Sequence, residues 1–291
     1  MRSAIATAED KANPKLAHAA GSVAPDAAHA SIQVSVERWA KGQQRHADDE
    51  VAAEFPVALV YHAVPHVVML ATPADLEDYA VGFTLSEGLV ATPDEIRSVE
   101  VEAGRHAIDV RISIAWERFS ALLQQRRNLT GRTGCGLCGA ETVEQAIRTP
   151  AVLQGGPSVP IAELHAAMTQ LGSLQPLNAR TGSVHAAAWA LPGRGIQYVR
   201  EDVGRHNALD KAIGAVVRAG EDPARGFMLI TSRASYEMVL KSATVGVTLL
   251  AAISAPTSLA VDLATRCGQT LLGFTRPEQH VVYANPERLV S

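Results

Sequence analysis

The stretch Phe227–Phe274, FMLITSRASYEMVLKSATVGVTLLAAISAPTSLAVDLATRCGQTLLGF, alternates short apolar runs with segments of helical periodicity. Phe227 to Thr231, Leu249 to Ser254 and Thr270 to Phe274 have the length and composition of buried strands. Between them, Tyr236 to Val245 and Ser258 to Cys267 repeat apolar residues at helical spacing, and Gly268 supplies a stop. Strands that alternate with helices call for right-handed crossovers and a sheet covered on both faces. The expectation is therefore an α/β protein with a three-layer α/β/α core.

Outward from that stretch, Asn207 to Ala219 reads as a further helix. Val184 to Leu191 and Ile196 to Asp202 flank the turn Pro192-Gly193-Arg194-Gly195, although the alanine run at 186 to 188 also suits a helix. Ile161 to Leu171 is a helix bounded by Pro160 and Gly172, and Gln154-Gly155-Gly156-Pro157 punctuates the chain before it. These features set residues 151–291 apart as the core and place a boundary near its start. The segment 129–150 is read as a flexible region around Cys135-Gly-Leu-Cys138.

Residues 31–128 read as a smaller N-terminal α/β subdomain. Ile32 to Trp39 alternates, and Pro56 to His62 with His66 to Ala71 form a hairpin around Ala63 to Pro65. A helix starts after Thr72-Pro73-Ala74-Asp75 and runs to Gly88. Val99 to Glu102 pairs with His106 to Ala115, and Trp116 to Arg127 is a polar helix. Residues 1–30 mix alanine with Glu9, Asp10, Lys11 and Asp26, which breaks any apolar stretch of signal-peptide length, so they are expected to be a disordered tail.

The 26 Lys and Arg against 30 Asp and Glu, a formal charge of -4, exclude a general nucleic-acid binder. Each apolar segment is interrupted by a charge before the roughly 20 residues that a membrane helix requires. Three cysteines, two of them in one CxxC, are too few for a disulfide framework and fit a reducing, cytoplasmic setting.

A thiol that takes up and releases sulfane sulfur must ionise readily and be open to approach. Gly131, Gly134, Gly136 and Gly139 free the backbone around Cys135, and Arg126, Arg127 and Arg132 favour its thiolate. Cys138 is near enough in sequence to attack a persulfide on Cys135 or to close a disulfide with it. A CxxC has three meanings: zinc half-site, dithiol redox pair and persulfide relay. Zinc needs two more ligands, and no second CxxC or paired histidine motif supplies them. On spacing alone the three readings stand level.

Longer signatures separate them: Gly82-Phe-Thr-Leu-Ser-Glu-Gly88, the Cys135 segment, Glu201-Asp-Val-Gly-Arg-His-Asn-Ala-Leu-Asp-Lys211, Ser232-Arg-Ala-Ser-Tyr-Glu-Met238 and Ser254-Ala-Pro-Thr-Ser-Leu-Ala260. Together, from about Pro56 to the C-terminus, they resemble the formate dehydrogenase accessory sulfurtransferases, the FdhD family. The resemblance implies a cytoplasmic homodimer with a cytidine-deaminase-like core. It implies that sulfur comes from a cysteine desulfurase, is held as a persulfide on Cys135, and passes to a bis-molybdopterin guanine dinucleotide cofactor, bound as substrate, for the formate dehydrogenase catalytic subunit. The competing function is a noncatalytic chaperone that only holds that cofactor. Deamination does not fit, because Ala187 stands where a zinc deaminase needs its glutamate after His185; no structural metal is expected.

A guanine dinucleotide calls for backbone N–H groups, arginine and polar side chains. The resemblance implies that the segment Phe274, Thr275, Arg276, Pro277, Glu278 and Gln279 binds the cofactor; from side-chain chemistry, Arg276 is expected on phosphate and Phe274 on the base. This segment follows the last core strand, where α/β folds leave room for ligands. Arg205 and His206, and Ser232 and Arg233, each stand at a helix start after a strand. Two readings compete there: anion binding, or plain capping with Asn207 and Ser235 as N-caps. Cys267 reads as a buried structural thiol; Glu87 has two readings, a site carboxylate or a solvated helix end, and the latter is preferred.

Overall fold

The computed structural model describes residues 30–104, 107–129 and 148–291, with backbone alone for 125–129. Residues 1–29 of the expected 1–30 tail and both Cys135 and Cys138 lie outside the described residues.

The central sheet has the order β13-β12-β11-β10-β8-β9. Its strands are β8 (His185–Leu191), β9 (Gly195–Asp202), β10 (Phe227–Ile230), β11 (Leu249–Ala252), β12 (Thr270–Arg276) and β13 (Gln279–Ala284). β10, β11 and β12 run parallel, while β8 lies antiparallel to β10 and β13 antiparallel to β12. The alanine run at 186–188 is thus strand, paired in register with Val199 to Glu201.

Alternate residues of each strand serve opposite layers. Met228, Ile230, Leu250 and Leu271 pack with α5 (Arg205–Arg218), α6 (Tyr236–Thr244) and α7 (Ser258–Cys267). Phe227, Leu229, Leu249 and Leu272 pack on the other side with Leu164, Met168 and Leu171 of α3 (Ile161–Ser173). The expected three layers are present, with Cys267 fully buried among them.

A second sheet, β4-β3-β6-β5, is formed by β3 (Phe55–Tyr61), β4 (Val64–Ala71), β5 (Ile96–Ala103) and β6 (Ile108–Ile114). Its buried face packs on α1 (Leu76–Ser86) and on Phe119 and Leu122 of α2 (Trp116–Leu129). α1 in turn crosses α5 at a pair of glycines. A Cβ on Gly82 would lie 1.7 Å from the Asp210 carbonyl oxygen, and one on Gly214 would lie 1.8 Å from that of Asp78. Only hydrogen side chains allow the two backbones to meet this closely. Asp78 beside the crossing pairs with Arg200 at 2.7 Å and with Arg218.

Three elements depart from the sequence expectation. β1 (Ser31–Ala40) pairs along its whole length with β2 (Gln43–Ala52), a strand whose polar sequence gave no alternation. A short α4 (Pro176–Thr181) follows α3, and its Arg180 reaches Glu50 of β2 at 3.0 Å. β12 is not the last core strand, because the chain turns back at Pro277-Glu278 into β13. β7 (Val159–Pro160) and β14 (Leu289–Val290) add a small parallel pair. No described helix is long and apolar enough to cross a membrane.

Candidate functional site

The carboxyl ends of β10, β11 and β12, the start of β8 and the end of β9 all lie along one edge of the central sheet, as the pairings require. Four inter-strand steps of about 4.8 Å separate β9 from β12, so this edge is roughly 19 Å long. Every cofactor residue expected from the sequence falls on it. Arg205 and His206 lie at the β9 end, Ser232 and Arg233 in the middle, and Phe274 to Gln279 at the β12 end.

At the β9 end, the buried Asp202 carboxylate organises the turn into α5. It accepts from the Gly204 amide at 2.7 Å, the Asn207 side chain at 3.0 Å, the Thr72 amide at 3.0 Å and the Lys211 ammonium at 2.6 Å. Lys211 is itself fully buried and donates also to the Thr72 carbonyl. Asn207 therefore sits inside the helix with its amide on Asp202 and Leu70, rather than capping it. The cap is Gly204, which has no side chain to offer, so α5 has no side-chain cap hydrogen bond among the described residues. Arg205 Nε and His206 Nε2 are buried there without a hydrogen-bond partner among the described residues. Burial and the neighbouring Arg205 push the His206 pKa down to about 4, so its imidazole is neutral at pH 7. Its Nε2 lies 3.9 Å from the Glu237 carboxylate. Burial and Arg205 also lower the His185 pKa.

In the middle of the edge, the loops after β10 and β11 touch through a bridge between Ala234 and Pro256. The buried Ser232 hydroxyl donates to the Arg233 carbonyl, and Arg233 is exposed. Ser235 stands at the α6 cap position, but its hydroxyl donates to Glu237 at 2.8 Å instead of accepting from the helix. Capping by Asn207 is thus corrected, whereas Ser235 is the cap residue of α6 without a side-chain cap bond. Thr257 at the start of α7 makes no side-chain cap either.

At the β12 end, the expected segment is a strand end and hairpin turn rather than a free exit. Phe274 has a positive φ of 50°, which bulges the strand and leaves its ring half-exposed. Thr275 is fully buried with its hydroxyl unpartnered, while Pro277, Glu278 and Gln279 are exposed. Arg276 donates to the Ile253 carbonyl at 2.5 Å, lying back across the β11 loop with its guanidinium at the surface.

A second polar group was missed by the sequence reading. Glu87 is not a solvated helix end: its carboxylate takes a 2.8 Å contact from Lys241 and another from Arg148. Lys241, nearly buried, also binds Asp210 at 2.9 Å, and Ser86 donates to the same aspartate. Burial pushes Asp210 up despite Lys241. For Glu87 burial acts the same way, but Lys241 and Arg148 outweigh it and hold the carboxyl below its ordinary range. Glu87 stands 61 positions from Arg148 and 154 (241 minus 87) from Lys241, which no local pattern reveals. Among the described residues, no three His, Cys, Asp or Glu side chains group as a metal site.

The FdhD/NarQ family model matches residues 52–290. A sulfur carrier protein FdhD from Cupriavidus necator is 50% identical over 277 residues, 95% of this chain and 96% of its own. Another, from Xanthomonas euvesicatoria pv. vesicatoria, is 51% identical over 89% of this chain and 92% of its own. The crystal structure of a protein from Desulfotalea psychrophila assigned as a formate dehydrogenase accessory protein superposes with a TM-score of 0.70. It is 26% identical and covers 89% of this chain and 99% of that one.

Proposed function

The chain belongs to the FdhD/NarQ family, and from that premise we propose that it is a sulfur carrier for formate dehydrogenase, working through a persulfide on Cys135. The observation that carries the reading is Cys135-Gly-Leu-Cys138 itself, set among glycines and arginines within the matched range. The donor is a cysteine desulfurase in the cytoplasm. The Cys135 thiolate attacks the outer sulfur of the donor's persulfide, and the donor thiolate leaves, so loading involves no net redox change. In discharge the Cys138 thiolate attacks the inner sulfur of the Cys135 persulfide. The persulfide bond breaks, hydrosulfide departs, and a Cys135–Cys138 disulfide forms. The two electrons come from the thiol pair, and a cellular dithiol restores it. Hydrosulfide and one proton from solvent would exchange a sulfido for an oxo ligand of the molybdenum substrate, the oxygen leaving as water.

The substrate is the bis-molybdopterin guanine dinucleotide form of that centre, and the catalytic subunit of formate dehydrogenase receives it. The sheet edge supports this reading chemically: the N-terminus of α5, which no side chain caps among the described residues, and the Arg205 Nε, buried there without a partner among them, are suited to phosphate, and the exposed Phe274 ring to a purine. Residues 151–291 then form the cofactor-binding part and 31–128 a supporting α/β subdomain, with the carrier segment between them, in a homodimer.

Intact mass spectrometry after incubation with a desulfurase and cysteine tests the carrier. One added sulfur on wild type and none on Cys135→Ser is expected, with formate dehydrogenase activity lost in cells relying on the variant. Full activity with Cys135→Ser would instead favour a chaperone that holds the cofactor without loading it.

A further inference from the structure

The ribbon of β1 and β2 has no part in the chemistry above, and its strands join no other sheet among the described residues. Its ten cross-strand pairs run from Ser31 with Ala52 to Ala40 with Gln43. A two-residue turn closes it, with Lys41 and Gly42 at positive φ angles of 50° and 76°, the geometry that follows the twist of a hairpin. The body holds the ribbon near its base, where Arg180 reaches Glu50 at 3.0 Å. Ile32, Trp39 and Val51 are exposed on it. A two-stranded ribbon alone is marginal in water, so one that also exposes apolar side chains gains from a partner.

The turn fixes which backbone groups of β2 remain free. In a two-residue hairpin the residues flanking the turn, here Ala40 and Gln43, form a hydrogen-bonded pair, and bonded pairs then alternate along the ladder. Gln43, Arg45, Ala47 and Asp49 thus bond to β1, while Gln44, His46, Asp48 and Glu50 turn their N–H and C=O groups away from it. The Glu50 N–H accordingly donates to Asp49 Oδ1 at 3.1 Å. Among the described residues, no backbone-to-backbone bond takes up the outward groups of Gln44, His46 or Asp48. Such an edge is a template for another strand.

Along that edge the side chains are their own complement. A second copy laid antiparallel, with the two-fold axis at Ala47, sets Arg45 opposite the partner's Asp49 and His46 opposite the partner's Asp48. Symmetry repeats both pairs, and only the small Ala47 side chains meet at the axis. The bonded positions in this register are His46 and Asp48, whose backbone groups are the free ones, so ladder and side chains agree. Moving the axis to Asp48 would oppose two carboxylates, and placing it between residues would set free groups against bonded ones. Ser35 donates to Asp48 at 3.0 Å and Arg38 pairs with Asp49 at 3.1 Å, but a carboxylate accepts further donors. β1 offers no such match, because its charged residues, Glu37 and Arg38, lie on opposite faces.

We propose that the free edge of β2 is the interface between two copies of this chain, which pair β2 antiparallel about Ala47 into one four-stranded sheet. The inference rests on the homodimer of the preceding reading and not on its sulfur chemistry.

Sedimentation equilibrium of the full chain over a concentration series tests it. Wild type should dimerise with a dissociation constant that rises with salt, since the paired charges are exposed. Arg45→Glu and Asp49→Arg should each raise that constant at least about tenfold, because each turns two attractive pairs into repulsive ones. The double variant, Arg45→Glu with Asp49→Arg, exchanges the charges and should restore the dimer. Within the ribbon Arg45 stands opposite Arg38, so Arg45→Glu relieves a like-charge pair there, and a lost dimer does not come from a weakened ribbon. A dimer unchanged in both single variants overturns the inference and leaves the homodimer to another surface. Single variants that dissociate without recovery in the double variant overturn it as well. A wild type that is monomeric at every concentration overturns the homodimer and this inference together, while sulfur loading, read by mass on the same samples, judges the carrier reading separately.

Discussion

Arg276 illustrates how a single side chain divides its donors. One nitrogen is committed to the Ile253 and Thr275 carbonyls, which fixes the guanidinium over the β11 loop and leaves its outer face at the surface. A preoriented fork suits a phosphate, and a charge-assisted contact contributes about 1.5 to 3 kcal/mol. Arg276→Ala should weaken GDP binding by about tenfold to a hundredfold in a calorimetric titration, with circular dichroism unchanged. Equal dissociation constants would move the phosphate contact to Arg205 or Arg233. The residue type was legible in the sequence, but its environment was not. Glu87 shows the same limit more sharply: a carboxylate after a helix is ordinarily solvated, and Lys241 and Arg148, reached through the fold, make it a partly buried ion-pair partner.

Elements were legible where burial imposes a pattern. β10 and β11 read directly as FMLI and LLAA because both faces are covered. β2 did not, since QQRHADDEVA pairs only with β1 in a mostly exposed hairpin and has no apolar face to announce. β13 was hidden because Pro277-Glu278 was read as part of a ligand segment rather than as a turn. The α1–α5 crossing was equally invisible, being a relation between two glycines 132 positions apart (214 minus 82). Gly214→Ala places a methyl 1.8 Å from the Asp78 carbonyl oxygen, and backbone cannot yield as a side-chain tip does. We expect a loss of about 3 kcal/mol or more in urea denaturation. Gly172→Ala in α3, where the added methyl meets open space, is the matched control and should gain about 0.5 to 1 kcal/mol. Equal stability of the two variants would mean that the helices separate at no cost.

Across the whole molecule, proton uptake follows from which groups the fold hides. Burial lowers the pKa of His206, His185 and His280, with Arg205 adding to the first two and His165 to the third. Each takes up its proton less readily in the fold than in the unfolded chain, whose histidines charge as pH falls below about 6.5. Their contribution is present above that pH and is lost as pH falls toward about 4, where His206 titrates in the fold. Each partly exposed histidine contributes less than about 1.4 kcal/mol per pH unit. Urea midpoints should therefore decline from pH 7 to pH 5, and His206→Gln should flatten the decline; an unchanged slope would remove His206 from this account. The paired glycines of α1 and α5 carry a consequence of another kind, for how such a chain can vary over generations. Neither position has a neighbouring sequence that reads as stable yet tolerant, because growth at one cannot be offset by shrinkage at the other, both being already at the minimum. The two sheets are thus joined by a seam with no spare alphabet, and inherited change must accumulate elsewhere.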